Sequence, residues 1–356
     1  MGIFVSFCIF ITLLSYLQVL NNSKNKFNEL LFYYISIFLI FIAAFRYECG
    51  PDYSSYKELF DLTDIHTVLV EPIFFLLILG IKEVSSYEFL LAIVALLSIS
   101  LKMHFIKKYS FYVFISIIFY FTTFYLNQDF GQIRQGLSIA IFWYGLRFYL
   151  KKQYTLFYIV IIICILIHYS SIVYLPFCLF NTKIKSFKTV LLTTILLFIL
   201  GYIMQDIIKT LSEYIDNPII RGKIENYASH EKYGVNIGLT PLLFIRLFIL
   251  YILINNLHKI PVTFEVKNTF IRMYCIGLYI YAFFNFNMIW AIRLSTNYNK
   301  ISIILLSYLL IIYKMKRIKI LITSLILIYC YYRLHSLLYN TEGANLIPYK
   351  TIFTRL

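Results

Sequence analysis

Residues 30–45 read LLFYYISIFLIFIAAF, sixteen consecutive positions without a charge, and residues 46–56 follow as RYECGPDYSSY. The first stretch is apolar on every face, so it does not suit a helix with one side in water. The second gathers an arginine, two carboxylates, a Gly-Pro break and three tyrosines within eleven positions. An uncharged run that ends abruptly in polar and aromatic residues reads as a helix leaving lipid.

The same pattern recurs along the chain. Of its 356 residues 61% are hydrophobic and only 14% charged, against roughly 25% charged in soluble domains. The chain therefore reads as an all-α, polytopic membrane protein. Gly2 to Leu20 lacks a charged leader and a small-residue cleavage site, so it reads as a span and not as a signal peptide. Further apolar runs predict about 10–12 transmembrane helices plus re-entrant or half-spanning segments. There are no internal repeats or linkers, so 1–356 is expected to be a single integral-membrane domain, with large extracytoplasmic loops at 46–71 and 205–238.

The net charge of +15 could suggest nucleic acid, but its distribution argues otherwise. Basic residues gather in short loops: Lys24/Lys26, Lys107/Lys108, Lys151/Lys152, Lys183/Lys185/Lys188, Lys259/Lys267 and Lys314/Lys316/Arg317/Lys319. The positive-inside rule makes these loops cytoplasmic and excludes a nucleic-acid partner. Five cysteines sit inside apolar runs and only Cys49 lies in a loop, with no C-x-x-C pair and no His/Cys metal spacing. Neither a disulfide framework nor a metal is expected.

With every lysine loop inside, the N-terminus and residues 46–71 lie outside. Residues 72–82, PIFFLLILGIK, are too few to cross and should dip in and return. Residues 154–180 form a hairpin whose apex is His168-Tyr169-Ser170-Ser171, and the span middles look almost free of charge. A competing topology keeps 72–82 as a span, turns the N-terminus inside and moves 46–71 to the cytoplasm.

Several polar constellations fall on the outer side of the preferred topology. The first holds Arg46, Asp52, Tyr53 and Tyr56, with Glu71-Pro72 opening the next segment. In the second, Gln132, Arg134 and Gln135 occupy the first turn of a span, where free helix NH groups and a guanidinium can converge on an anion. The third is His168 with its two serines at a membrane-depth break, and ionisable groups at such depth are functional candidates. Arg293 marks the outer end of a later span, and His230 and Tyr233 lie in the large loop. Arg46, Arg134 and Arg293 all point to headgroup level, and a planar fork suits phosphate oxygens. A lipid-linked phosphate or pyrophosphate is the ligand these three would suit.

RYECGPDYSSYKELF, the Glu-Pro that follows, QIRQGLSIAIFWYGLRFYLKK, IHYSSIVYLP, IRLSTNYN and IPYKTIF come in the order found in EpsG-like proteins. The chain resembles these Wzy-type polymerases of bacterial capsule, exopolysaccharide and O-antigen from about residue 30 to its end. One departure is the proline just before Asp52, where relatives usually carry an aliphatic residue and glycine.

The resemblance implies a GT-C-like glycosyltransferase in the bacterial cytoplasmic membrane, acting at its outer face on undecaprenyl-pyrophosphate-linked oligosaccharide without metal or other cofactor. A chain-length regulator and a flippase of the same pathway are the implied partners besides membrane lipids. In that chemistry Arg134 and Arg293 would lead the contacts to the departing pyrophosphate, with Arg46 third. His168 or Asp52 would serve as base, with His230 an outsider. Tyr53, Tyr56 and Tyr233 could stack on sugars, beside Gln132 and Gln135. Two other functions compete: a flippase or transporter of lipid-linked sugars, which would want charges along a transmembrane path, and a membrane acyltransferase, which would want a catalytic pair near the cytoplasm.

Overall fold

In lipid the backbone must satisfy its own hydrogen bonds, which leaves helices as the default for apolar chain. The computed structural model describes residues 2–21, 26–67, 70–179, 186–213, 237–340 and 345–355. Among them no strand forms, and two isolated bridges, Arg46 with Thr351 and Asp64 with Thr67, are the extent of extended pairing.

Among the described residues, five helical segments are long and apolar enough to cross a membrane: Gly2–Asn21, Lys26–Ala44, Tyr87–Tyr109, Phe187–Met204 and Lys316–Tyr339. They make this a multi-pass membrane protein. Several other apolar runs form shorter helices of 10–17 residues. The chain packs as two compact units: Met1–Leu175 with Leu306–Leu356, and Pro176–Leu305.

The first unit is built from α1 (Gly2–Asn21), α2 (Lys26–Ala44), α3 (Tyr53–Leu62), α4 (Pro72–Lys82), α5 (Tyr87–Tyr109), α6 (Val113–Tyr120), α7 (Ile133–Leu150) and α8 (Tyr154–Ile167). α6 runs directly into a π-helical stretch, Phe121–Asp129, and α8 is followed by a 3₁₀ helix, Tyr169–Cys178. At one end of the unit Lys107 pairs with Glu29, and Lys319 donates to Tyr112 Oη at 2.7 Å. The loops at 46–50, 127–132 and 345–352 meet at the other end. There Tyr47 N donates to Lys350 O at 3.0 Å, Gly50 N to Asn345 O at 3.1 Å, and Arg46 Nη1 to Asp129 O at 2.8 Å.

α4 does not cross. Its last residue, Lys82, donates to the carbonyls of Phe60, Asp61 and Thr63 at 3.1, 2.7 and 3.0 Å, around the end of α3. Tyr87, first in α5, donates to Tyr53 O at 3.1 Å. The chain thus descends to Glu71 and returns along α4 to the side it left, as an 11-residue helix allows.

Residues 154–175 reverse at His168. Cys164 Sγ donates to Ser138 O and Phe157 packs on Phe142, so α8 runs antiparallel to α7. Beyond the turn, Gln135 donates to Ser170, Ser138 meets Ser171, and Tyr174 stacks flat on Phe142 at 3.6 Å. Those pairings step along α7 in the parallel sense, so the 3₁₀ helix descends beside it. His168 itself is extended, with φ −155° and ψ 116°.

The turn is recessed. α5 has 23 residues and α8 only 14, so at 1.5 Å per residue they are ~34 and ~21 Å long. Phe105 packs on Trp143 at 4.8 Å, and Ile133 and Leu137 share a core cluster with Leu90, Leu91 and Val94. The first turn of α7 therefore begins roughly 5–12 Å along α5 from Tyr87, at the level of the hairpin apex. α3 and α4 wall this depression.

One expectation about charge is corrected here. Lys102, within the α5 span, is fully buried and pairs with Asp129 at 2.6 Å. Asp129 also accepts from Ser98 and Tyr120 at 2.7 Å each, and the Lys102 ammonium lies 4.4 Å over the Phe124 ring. The π-helical stretch Phe121–Asp129 thus carries Asp129 into the protein, to Lys102.

The second unit contains α9 (Phe187–Glu213), α10 (Pro241–Asn255), α11 (Phe264–Phe283) and α12 (Met288–Asn299); α13 (Ser302–Ile312) leads back to the first unit and α14 (Lys316–His335) completes it. Close helix approaches rest on small residues: a Cβ at Gly277 would meet Asn299 Oδ1 at 2.3 Å, and one at Gly201 would meet Phe283 O at 2.1 Å. Arg272 is buried in α11 with its guanidinium 4.7 Å over Phe177.

Candidate active site

Glu71 organises the recess. Pro72 starts α4 and fixes the chain direction, and the Glu71 side chain makes no capping bond to that helix. It turns back instead. One carboxylate oxygen, Oε2, pairs with Arg134 Nη1, and the other, Oε1, faces His168 Nδ1 at 3.1 Å and accepts from Tyr169 N at 3.2 Å. Burial pushes the Glu71 carboxyl up, but the His168 hydrogen bond and the Arg134 charge outweigh it and hold the group down at about 2.

Glu71 is therefore ionised and can only accept. Nδ1 of His168 must then carry the proton, which leaves the lone pair of the neutral imidazole on Nε2. Nε2 has no hydrogen-bond partner among the described residues. The Arg134 guanidinium donates through Nε to Tyr56 Oη at 3.2 Å and lies 5.4 Å over the Tyr56 ring. Its Nη2 likewise has no partner among the described residues. The side chains of Arg134 and His168 are 25% and 23% exposed, whereas Glu71 is 5% exposed. A buried carboxylate thus holds two half-open groups, each with one polar atom left for a ligand.

Behind them, hydrogen bonds fix the floor. Gln128 Nε2 donates to Gln135 Oε1 and Gln135 Nε2 to Ser170 Oγ, both at 3.4 Å. Ser138 bonds Cys164 O at 3.1 Å and Ser171 Oγ at 2.5 Å. Gln135 is accordingly a structural tie. Gln132, half-buried just ahead of α7, bonds through its backbone to Asn127 O at 3.0 Å.

The other expected site residues are placed differently. Arg46 is 1% exposed, donating to Ala43 O and Asp129 O and lying 4.9 Å over Phe130. It ties the end of α2 to the 127–131 loop, and a guanidinium so enclosed is poorly placed to meet a headgroup. Asp52 sits half-buried just before α3, where its charge reaches Tyr56. Tyr53 and Tyr56 are buried in the aromatic core with Tyr87 and Phe74, so they offer no open ring to a sugar. Tyr169, beside His168 and 60% exposed, does. Arg293 is exposed on α12 of the second unit. His230 and Tyr233 lie outside the described residues. Among the described residues, no group of three His, Cys, Asp or Glu side chains could hold a metal.

The comparison that decides the kinship is a match of residues 29–351 to the model of the EpsG family. The chain belongs to the EpsG family. EpsG-like proteins are Wzy-type polymerase-like, and membership makes this a membrane protein of polysaccharide biosynthesis. No curated protein and no solved structure matches this EpsG-family chain.

Sequence reasoning named Glu71 and Tyr169 without giving either a role, and it did not pair Lys102 with Asp129. The first had a signal: an acid directly before a proline that opens a short apolar helix has little reason to be there unless it serves a neighbour.

Proposed function

We propose that this EpsG-family protein is a polysaccharide polymerase. It moves a growing glycan from its undecaprenyl-pyrophosphate carrier onto a new lipid-linked repeat unit, at the outer face of the bacterial cytoplasmic membrane. The observation that carries the reading is the pairing of His168 and Arg134 on Glu71, with Nε2 and Nη2 left for ligands.

Polymerisation needs those two services. The bond from the anomeric carbon to the carrier phosphate breaks, and its electron pair leaves on the pyrophosphate. The acceptor hydroxyl oxygen bonds to that carbon, and its proton passes to His168 Nε2. An imidazole suits this task because its intrinsic pKa lies near neutrality. Arg134 stabilises the charge developing on the leaving group, where fixed cations in a dry site act most strongly. Asp52 is an alternative base and Tyr169 the ring for sugar stacking. The architecture in this reading is GT-C-like.

A transporter of lipid-linked sugars is the rival, and Lys102–Asp129 is the observation that favours it. That pair is sealed, with both side chains enclosed and hydrogen-bonded, so it lines no path. A strain lacking the protein separates the two. A polymerase defect leaves single-repeat carrier lipid on the outer face, whereas accumulation on the cytoplasmic face would support the transporter.

A further inference from the structure

Of the two useful groups in the recess, neither stands alone: each leans on Glu71. We propose that Glu71 is a positioning residue that aims His168 Nε2 and Arg134 Nη2 at one reacting centre. The proposal rests on the polymerase reading above.

The geometry makes one carboxylate responsible for both. Oε1 fixes the ring of His168 from its Nδ1 side and holds the hairpin apex through Tyr169 N; Oε2 fixes the guanidinium. The base and the leaving-group contact sit on different elements, the α8 turn and the first turn of α7. No hydrogen bond between those two side chains is present, so their spacing is set through Glu71. A carboxylate behind an imidazole selects the tautomer and steadies the imidazolium formed when the proton arrives. The same anion offsets the Arg134 charge, which keeps substrate and product pyrophosphate from binding too tightly.

Groups that could act on His168 come from every neighbouring element: Glu71 before α4, Arg134 and Gln135 on α7, Tyr56 and Asp52 near α3, and Tyr169 and Ser170 in its own turn. Glu71 is the anion in direct contact.

Glu71→Gln tests the idea in the full-length purified protein, using lipid-linked repeat units as substrate. The amide keeps the size and an acceptor for Tyr169 N, but not the charge. We expect kcat to fall at least ~10-fold while KM for the lipid substrate stays level or drops. Glu71→Asp keeps the charge but should also lose turnover at a level KM, because the shorter arm cannot reach both partners.

Wild-type kcat in Glu71→Gln would overturn the proposal. So would a loss of turnover matched by a rise in KM and a lowered thermal midpoint, which is what a structural role produces. If Glu71→Gln fails to insert, Glu71→Asp decides alone, and wild-type turnover there overturns it equally. His168→Asn and Arg134→Lys, run beside them, separate the two levels. If neither slows turnover, the polymerase site itself is wrong; if both do and the Glu71 variants do not, only the positioning role falls.

Discussion

Arg134→Lys is the substitution from which the structure asks most. Arg134 spends Nη1 on Glu71 and Nε on Tyr56, leaving Nη2 and the outer edge of the fork for a ligand. Lysine keeps the charge and can keep the Glu71 pair, but one ammonium cannot do that and also present a planar edge to phosphate oxygens. The loss is about one charge-assisted hydrogen bond, ~1.5–3 kcal/mol. At about 1.4 kcal/mol per decade, turnover should fall roughly ten- to hundredfold. The assay is polymerisation of purified lipid-linked repeat units, with membrane protein level and thermal midpoint measured alongside. If Arg134 merely reached for headgroups, lysine would serve as well. A well-inserted Arg134→Lys that polymerises at wild-type rate would refute the reasoning and remove Arg134 from the site.

Three further outcomes follow from the same geometry. Lys102→Met strands Asp129 as a buried unpaired acid and should cost about 3–5 kcal/mol; thermal shift in detergent should show a large drop, partly recovered when Asp129→Asn is added. Gly50→Ala should destabilise by about 1–3 kcal/mol, because Gly50 has φ +116° and a Cβ there would meet Phe130 O at 2.6 Å; lower detergent melting would register it, and an unchanged midpoint would contradict it. Cysteines introduced at exposed Ser54 and Lys152 lie at opposite ends of the first unit. A membrane-impermeant thiol reagent should label Ser54→Cys in intact cells and Lys152→Cys only after permeabilisation, and the reverse pattern would invert the topology.

What the sequence made legible was whatever depends on local composition. Sixteen uncharged residues before Arg46 announce a span, and the shortness of PIFFLLILGIK announces a helix that turns back. HYSS marked a break in a long apolar run, and the chain does reverse at His168. Contacts across the fold left weaker traces. Arg46, Arg134 and Arg293 look alike in sequence because each ends or begins a span. Their surroundings differ: a pair of carbonyls accept from the buried Arg46, a carboxylate holds Arg134, and Arg293 is exposed on α12. A π-helical stretch places Asp129 against Lys102, a pairing between residues 27 positions apart that no local pattern announces. The tail at 345–352 showed no chemistry by itself, and its part is to strap the loop that begins at Arg46.

The most direct test of the central claim is reconstitution. Purified protein in lipid vesicles, supplied with pyrophosphate-linked single repeat units and nothing else, should produce a ladder of longer lipid-linked glycans and release free carrier pyrophosphate in step with each bond formed. His168→Asn at equal protein level should abolish both. Single units that stay single, or that merely change leaflet without lengthening, would contradict the account.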